Sequence, residues 1–177
     1  MIIKDVTQVG NPIIRKKSKI VKDIRSEEIK QLVEDLTDSM RDARLVGMAA
    51  PQIGINLRVF VTEIRVTDTR SAQIPDPVRV FINPKILSLS KKQVEIYEGC
   101  GSVAHADLFS SVRRPETVIV EAVDVHGEKF ILETGGLLAR IIQHEIDHLD
   151  GKVFLDRISD TTTLTSKNEY MKMVGKK

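Results

Sequence analysis

The sequence predicts a compact α+β domain: mainly antiparallel β-sheets packed around a buried C-terminal helix, with an amphipathic helix near the N-terminus. Three observations carry this. The 177 residues, 41% of them apolar, suffice for one ordinary domain with its own core. The middle of the chain is a series of short β-branched and aromatic runs separated by turn residues. Flanking that series, two segments carry apolar residues at helical rather than strand spacing.

The first helical segment is 26–43, SEEIKQLVEDLTDSMRDA. Ser26 suits an N-cap, and Glu27 and Glu28 fall in the first turn, where the helix dipole favours acids. Apolar residues at 29, 32, 33, 36 and 40 give one buried stripe. Strands follow at 57–64, 78–86, 93–99, 116–124 and 128–134. Asp124-Val125-His126-Gly127 reads as a hairpin turn between the last two, and 69–77 as a loop. The second helical segment is 135–151, GGLLARIIQHEIDHLDG, with Leu137, Leu138, Ile141, Ile142 and Leu149 in helical register and Gly151 as C-cap. A polar tail runs from about 159 to 177, either a helix or a loose end. The whole, 1–177, reads as one domain.

Composition narrows the functions. Lys plus Arg is 27 and Asp plus Glu is 25, so the net charge is +2, which makes no electrostatic case for nucleic acid. The lone Cys100 rules out an intramolecular disulfide and fits a reducing compartment. The start, MIIKDVTQVGNP, lacks the apolar core of a signal peptide and carries an early Asp5. No apolar run approaches a membrane span. The expectation is a soluble cytoplasmic protein.

Chemistry concentrates at 143–151, QHEIDHLDG. Four residues advance a helix by about 400°, so His144 and His148 project from one face and both imidazoles reach one metal ion. Glu145 lies beside them, placed to act on a water rather than to ligate. His and Glu can also merely decorate a helix. Here the helix is otherwise strongly apolar, and polar groups beside an apolar stripe need a partner. A third histidine at 154 would mark one large class of such sites, but that residue is Phe154. Glu169, in the tail, is a poor ligand candidate. The remaining soft donor is Cys100, and a thiolate with two imidazoles leaves a fourth position open, as catalytic metals require. A free cysteine can equally be a small buried hydrophobe. The setting Glu98-Gly99-Cys100-Gly101-Ser102, just after a strand, favours a ligand, because the glycines let backbone approach closely. On the residues alone, this is a mononuclear metal hydrolase.

Three segments then carry a family resemblance. VGMAAPQIG (46–54) is similar to the GφGLAAPQ signature of peptide deformylases, EGCGS (98–102) to their EGCLS, and QHEIDHLDG to their metal helix. The likeness extends from the N-terminal Asn11-Pro12 through helix 26–43 to VFLDRI, about residues 1 to 158. It implies Cys100, His144 and His148 as metal ligands and Glu145 as general acid/base. It implies Gln52 as a side-chain donor to the oxyanion, helped by the backbone N–H of Gly101. It implies a strand-like peptide groove at Val46, Gly47 and Gly99, and a methionine pocket lined by Val46, Ile96, Leu137 and Ile141. The implied cofactor is one divalent ion, ferrous iron, with nickel, cobalt or zinc as substitutes. The implied substrates are N-formylmethionyl nascent polypeptides, met through transient ribosome association, with no membrane and no specific nucleic-acid recognition. The rivals are an amidase for another small N-acyl group and a non-catalytic metal-binding module.

Glu98 has two readings, orientation of the site through Arg113 or Arg114, or strand surface. His105 and His126 read as loop residues, and Asp147 as a solvated residue or one behind the ligands. The chain departs from the pattern at three places: Leu45 stands for the first Gly of GφGLAAPQ, Gly101 for the Leu of EGCLS, and the loop 104–115 is about two residues longer. All three border the implied groove.

Overall fold

The structure is a computed structural model that describes residues 3–65 and 75–175. Its order is α1 (Glu27–Asp42), β1 (Gly47–Ala49), β2 (Val59–Ile64), β3 (Asp76–Leu89), β4 (Gln93–Gly99), β5 (Leu108–Pro115), β6 (Thr117–Val123), β7 (Lys129–Gly135), α2 (Gly136–Leu149), β8 (Thr165–Ser166) and α3 (Lys167–Val174), with short 3-10 turns between. Two antiparallel sheets form, one in the order β1-β2-β3-β6-β7 and the other β4-β5-β8. This is the expected α+β fold.

The Ser26 hydroxyl caps α1 by accepting from the Ile29 N–H, and Arg41 sits in the last turn, so both ends match the helix dipole. Its stripe of Ile29, Leu32, Leu36 and Met40 is buried against Met48, Val59, Val61 and Ile82. The helix ends in a Schellman motif: the Leu45 N–H bonds to the Met40 carbonyl and the Arg44 N–H to that of Arg41. Arg44 takes the left-handed conformation that this motif demands (φ 56°).

α2 is buried nearly all round. Ala139, Ile142, Ile146 and Leu149 seat it on the larger sheet among Phe60, Phe81, Val118 and Val120. Phe60 and Phe81 face each other across β2 and β3 with rings stacked at 4.5 Å. A third cluster, Ile14, Val103, Val112, Val153 and Phe154, surrounds Cys100. α2 therefore lies between the sheets and presents its histidines to the end of β4.

Most expected strands sit within a few residues of their predicted ends. The 124–128 turn closes with Gly127 at φ 81° and the Asp124 carboxylate accepting from the N–H groups of His126 and Glu128. Of the expected loop 69–77, residues 69–74 lie outside the described residues, and Asp76-Pro77 open β3. The expected loop 104–115 is corrected: only 104–106 form a turn, and Leu108–Pro115 is β5, paired along all of β4. Ala104, His105 and Ala106 are all left-handed (φ 48°, 52°, 63°). The tail is ordered: α3 docks on the smaller sheet, with Tyr170 stacked on Phe109 at 4.6 Å.

Candidate metal centre

The sulfur of Cys100 and one nitrogen each of His144 and His148 lie within 4.8 Å of one another. Cys100 Sγ is 3.2 Å from His148 Nε2. One ion at ordinary bond lengths of about 2.0–2.3 Å spans such a triangle, so the donor set fits a single divalent cation. Cys100 reaches this point because β4 ends at Gly99 and a turn closes at once, with the Val103 N–H bonded to the Cys100 carbonyl.

The histidines differ behind the site. His144 Nδ1 meets Glu98 Oε2 at 3.1 Å, which leaves Nε2 for an ion and fixes the ring. His148 is fully buried, and its Nδ1 has no hydrogen-bond partner among the described residues. Burial drives His148 well below its ordinary pKa, and the positive charges of His144 and Arg114 add to this. It is a neutral imidazole, the form that ligates. Burial opposes protonation of His144 as well, but Cys100 and Glu98 outweigh it and raise that ring.

Glu98 is thus no strand-surface residue. Of the two arginines considered, Arg114 takes it as a fork, Nε to Oε1 at 2.6 Å and Nη2 to Oε2 at 2.9 Å, while Arg113 pairs with Glu95 outside. Arg140 adds a third contact at 2.6 Å and also donates to the Val94 and Val112 carbonyls. Arg114 continues to Asp147 at 2.8 Å, and Asp147 to Arg157. Burial would raise Glu98, but hydrogen bonds from His144 and Arg114 prevail and hold it far below the usual carboxylate range. Asp147 behaves alike, with Arg157 and Arg114 overcoming burial. The sequence reading missed Arg140. The signal was a lone Arg in an apolar run, one turn before His144, which must have a buried partner.

Glu145 is buried beside the triangle, and among the described residues it belongs to no ion pair and its Oε2 has no hydrogen-bond partner. Burial pushes its carboxyl up to about 7, against the pull of His144 and Arg114. Its place depends on Gly47: a Cβ there would lie 2.5 Å from Glu145 Oε1 and 2.8 Å from Ile141 Cγ2.

Gln52 sits in the 3-10 turn after β1 and is 1% exposed. Its Oε1 accepts from the Ala49 N–H at 2.8 Å, which aims the amide nitrogen at Cys100 Sγ (3.9 Å) and Ser102 Oγ (3.4 Å). Gly101 is the next link of the Cys100 turn; its carbonyl accepts from Gln8 Nε2 at 2.8 Å. Gln8, also missed, ties this turn to the N-terminal segment.

The groove residues are close but dispersed. Val46 and Gly47 lead into β1, which pairs only with β2 among the described residues and so leaves one strand edge open. Ile141 is buried and Leu137 half-buried on the first turns of α2. Ile96 lies on the face of β4 that carries Glu98 and is 47% exposed, as a pocket rim would be. Gly99 backs onto the ring of Phe109, where a Cβ would come within 2.7 Å. His105 and His126 are in turns away from the triangle, as expected.

A triangle of three donors fit for one metal ion, with a buried glutamate on the helix that carries two of them, defines a metal-dependent hydrolase. The comparisons make the class particular. The family model for polypeptide deformylase matches residues 3–163. The peptide deformylase of Dictyoglomus thermophilum is 37% identical over 166 residues, covering 94% of this chain and 99% of that protein. That of Treponema pallidum is 36% identical over 167 residues, 94% and 95% of the two chains. The class I type b peptide deformylase of Acinetobacter baumannii with Met-Ala-Ser bound superposes with a TM-score of 0.84 at 31% identity, covering 89% of this chain and 99% of that one. The Synechococcus elongatus enzyme in complex with actinonin gives 0.81 at 34%, covering 97% and 86%. The chain belongs to the polypeptide deformylase family.

Proposed function

We propose that the chain removes the formyl group from N-formylmethionyl nascent peptides. The observation that carries this reading is the convergence of the Cys100–His144–His148 triangle, the Glu145 carboxyl and the Gln52 amide beside the open edge of β1. An extended peptide adds naturally to such an edge through main-chain hydrogen bonds. Val46, Gly47 and Gly99 offer that backbone, and Val46, Ile96, Leu137 and Ile141 take the methionine side chain.

A divalent ion held by Cys100, His144 and His148 supplies Lewis acidity, polarising a carbonyl and acidifying a water. Glu145 takes the proton as the water oxygen bonds to the formyl carbon. With a pKa near 7, it can give that proton back to the amine as the C–N bond breaks. Gln52 Nε2 and the Gly101 N–H receive the charge that grows on the formyl oxygen. Formate and a free N-terminus result. The family likeness supports ferrous iron; the sulfur–nitrogen donor set also accepts nickel, cobalt and zinc. The substrate places the enzyme in the cytoplasm, in transient contact with ribosomes and without specific nucleic-acid recognition. No helix among the described residues is long and apolar enough to cross a membrane. Residues 1–177 act as one catalytic domain.

The test is formate release from N-formyl-Met-Ala-Ser beside its N-acetyl analogue, with protein prepared without oxygen and loaded separately with iron, nickel and zinc. Release from the formyl peptide with the acetyl analogue untouched is expected. Silence with every ion in folded, loaded protein would overturn the reading, and equal turnover of both peptides would make this a broader amidase.

A further inference from the structure

Leu45 and Gly101 depart from the family pattern in opposite senses, a Leu where the pattern has Gly and a Gly where it has Leu. In the structure they touch. A Cβ built on Gly101 would lie 2.8 Å from Leu45 Cδ1 and 3.4 Å from Val6 Cγ1. The Leu45 side chain occupies the space that a side chain at 101 would need.

We propose that Leu45 is the positioning residue of Gly101: its side chain supplies, from the end of α1, the steric restraint that glycine lacks, and so holds the 101 peptide with its N–H on the reacting carbonyl. The Val103 N–H anchors the Cys100 carbonyl end of the peptide that carries this N–H, but a glycine is otherwise free over both halves of φ space, so the Gly101 end lacks a side-chain restraint of its own. Leu45 is well suited to fix it, because its own backbone is locked as the closing residue of the Schellman motif, bonded to Met40. Gln8 holds the next peptide, at the Gly101 carbonyl. Its own amide oxygen is tied to the His105 N–H at 3.1 Å. The α-carbon of Gly101 therefore sits between a packed isobutyl group and a peptide anchored by a side-chain hydrogen bond. The two substitutions are thus one exchange of volume, and neither is a loss. This rests on the proposed role of the Gly101 N–H in deformylation.

The experiment is a cycle of Leu45→Gly, Gly101→Leu and the reciprocal double variant, with Leu45→Ala and Leu45→Met beside it. Each is read as kcat, KM and Tm, with bound metal measured. Losing a whole oxyanion donor costs about 10²–10³ in kcat. A donor kept but loosened should lose part of that, so Leu45→Ala falls about tenfold in kcat with KM and metal content unchanged, and Leu45→Met stays near native. Gly101→Leu alone meets the Leu45 side chain and loses both Tm and kcat. The double variant regains most of each. Native kcat in Leu45→Ala, a loss confined to KM, or a double variant no better than Gly101→Leu would overturn the proposal. Formate release by the native chain is measured first. Its absence would fell the deformylase reading itself, and the pair would then be judged on Tm, where additive effects would overturn the reciprocal packing too.

Discussion

At the scale of single residues the site is a problem of burying charge. Glu145 is the one acid there with no cationic partner in contact, and its raised pKa follows from that. Replacing it by Gln keeps the shape and removes the proton exchange. Because Glu145 is outside the ligand triangle, Glu145→Gln should bind metal as the native chain does and lose about 10²–10⁴ in kcat, measured by formate release alongside metal analysis. Gly47 gives a second test, since the nearest atoms to a side chain there are those of Glu145 and Ile141. Its added methyl in Gly47→Ala would overlap Glu145 Oε1 and Ile141. A displacement of about 1 Å at a reacting group can cost on the order of 10²-fold. We expect a loss of that size, with metal retained. His144, His148 and Glu145 were legible as a candidate group because their spacing is set by the helix period alone, whereas Cys100, on another element, was reached only as the remaining soft donor in a glycine-flanked turn and through the family resemblance. Arg140 and Gln8 were not, because their partners, Glu98 and Gly101, lie 42 and 93 positions away.

At the scale of elements, the two long helices and most strands could be read from periodicity. β5 could not. Its inward positions include Ser110, Val112 and Arg114, all buried, so the apolar alternation that reveals a strand is broken by the residues that support the metal ligands. β1, at three residues, is too short to leave a pattern. The tail was undecidable because α3 buries no residue fully and holds on through Tyr170. Beside the β5–β8 pairing, that stack links α3 to β5, and through Phe109 to Gly99 and the Cys100 turn. An aromatic stack is worth about 0.5–1.5 kcal/mol beyond its buried area, so Tyr170→Ala should lower Tm by about 2–5 °C. The prediction fails if Tm is unchanged in a thermal melt of the metal-loaded protein.

At the scale of the whole molecule, one chain of charges, Arg140–Glu98–Arg114–Asp147–Arg157, ties the smaller sheet to α2 and to the 3-10 turn at Phe154–Arg157. It could be excluded by no hydrophobic pattern and found by none, since it is long-range and polar. Its cost of desolvation is offset only while both carboxylates are ionised. Glu98 and Asp147 are both held below their ordinary values in the folded protein. The unfolded chain therefore binds protons first as pH falls, and stability drops with it. The contribution is complete above the unfolded carboxylate values of about 4 and is lost as pH falls through the lower folded ones. The contribution of this network to Tm should thus be flat from pH 8 to 6, where any slope belongs to Glu145 with its carboxyl raised to about 7, and should fall steeply below about pH 4. Asp147→Asn separates this network from general acid unfolding. It leaves Arg157 without this buried counter-charge and Arg114 with Glu98 alone, so Tm at pH 7 drops, yet one proton-linked group is gone, so the acid limb becomes shallower. An unchanged acid limb in Asp147→Asn would place the pH dependence elsewhere. The lowered Tm would then measure packing and hydrogen bonding at that position, with no contribution from its charge.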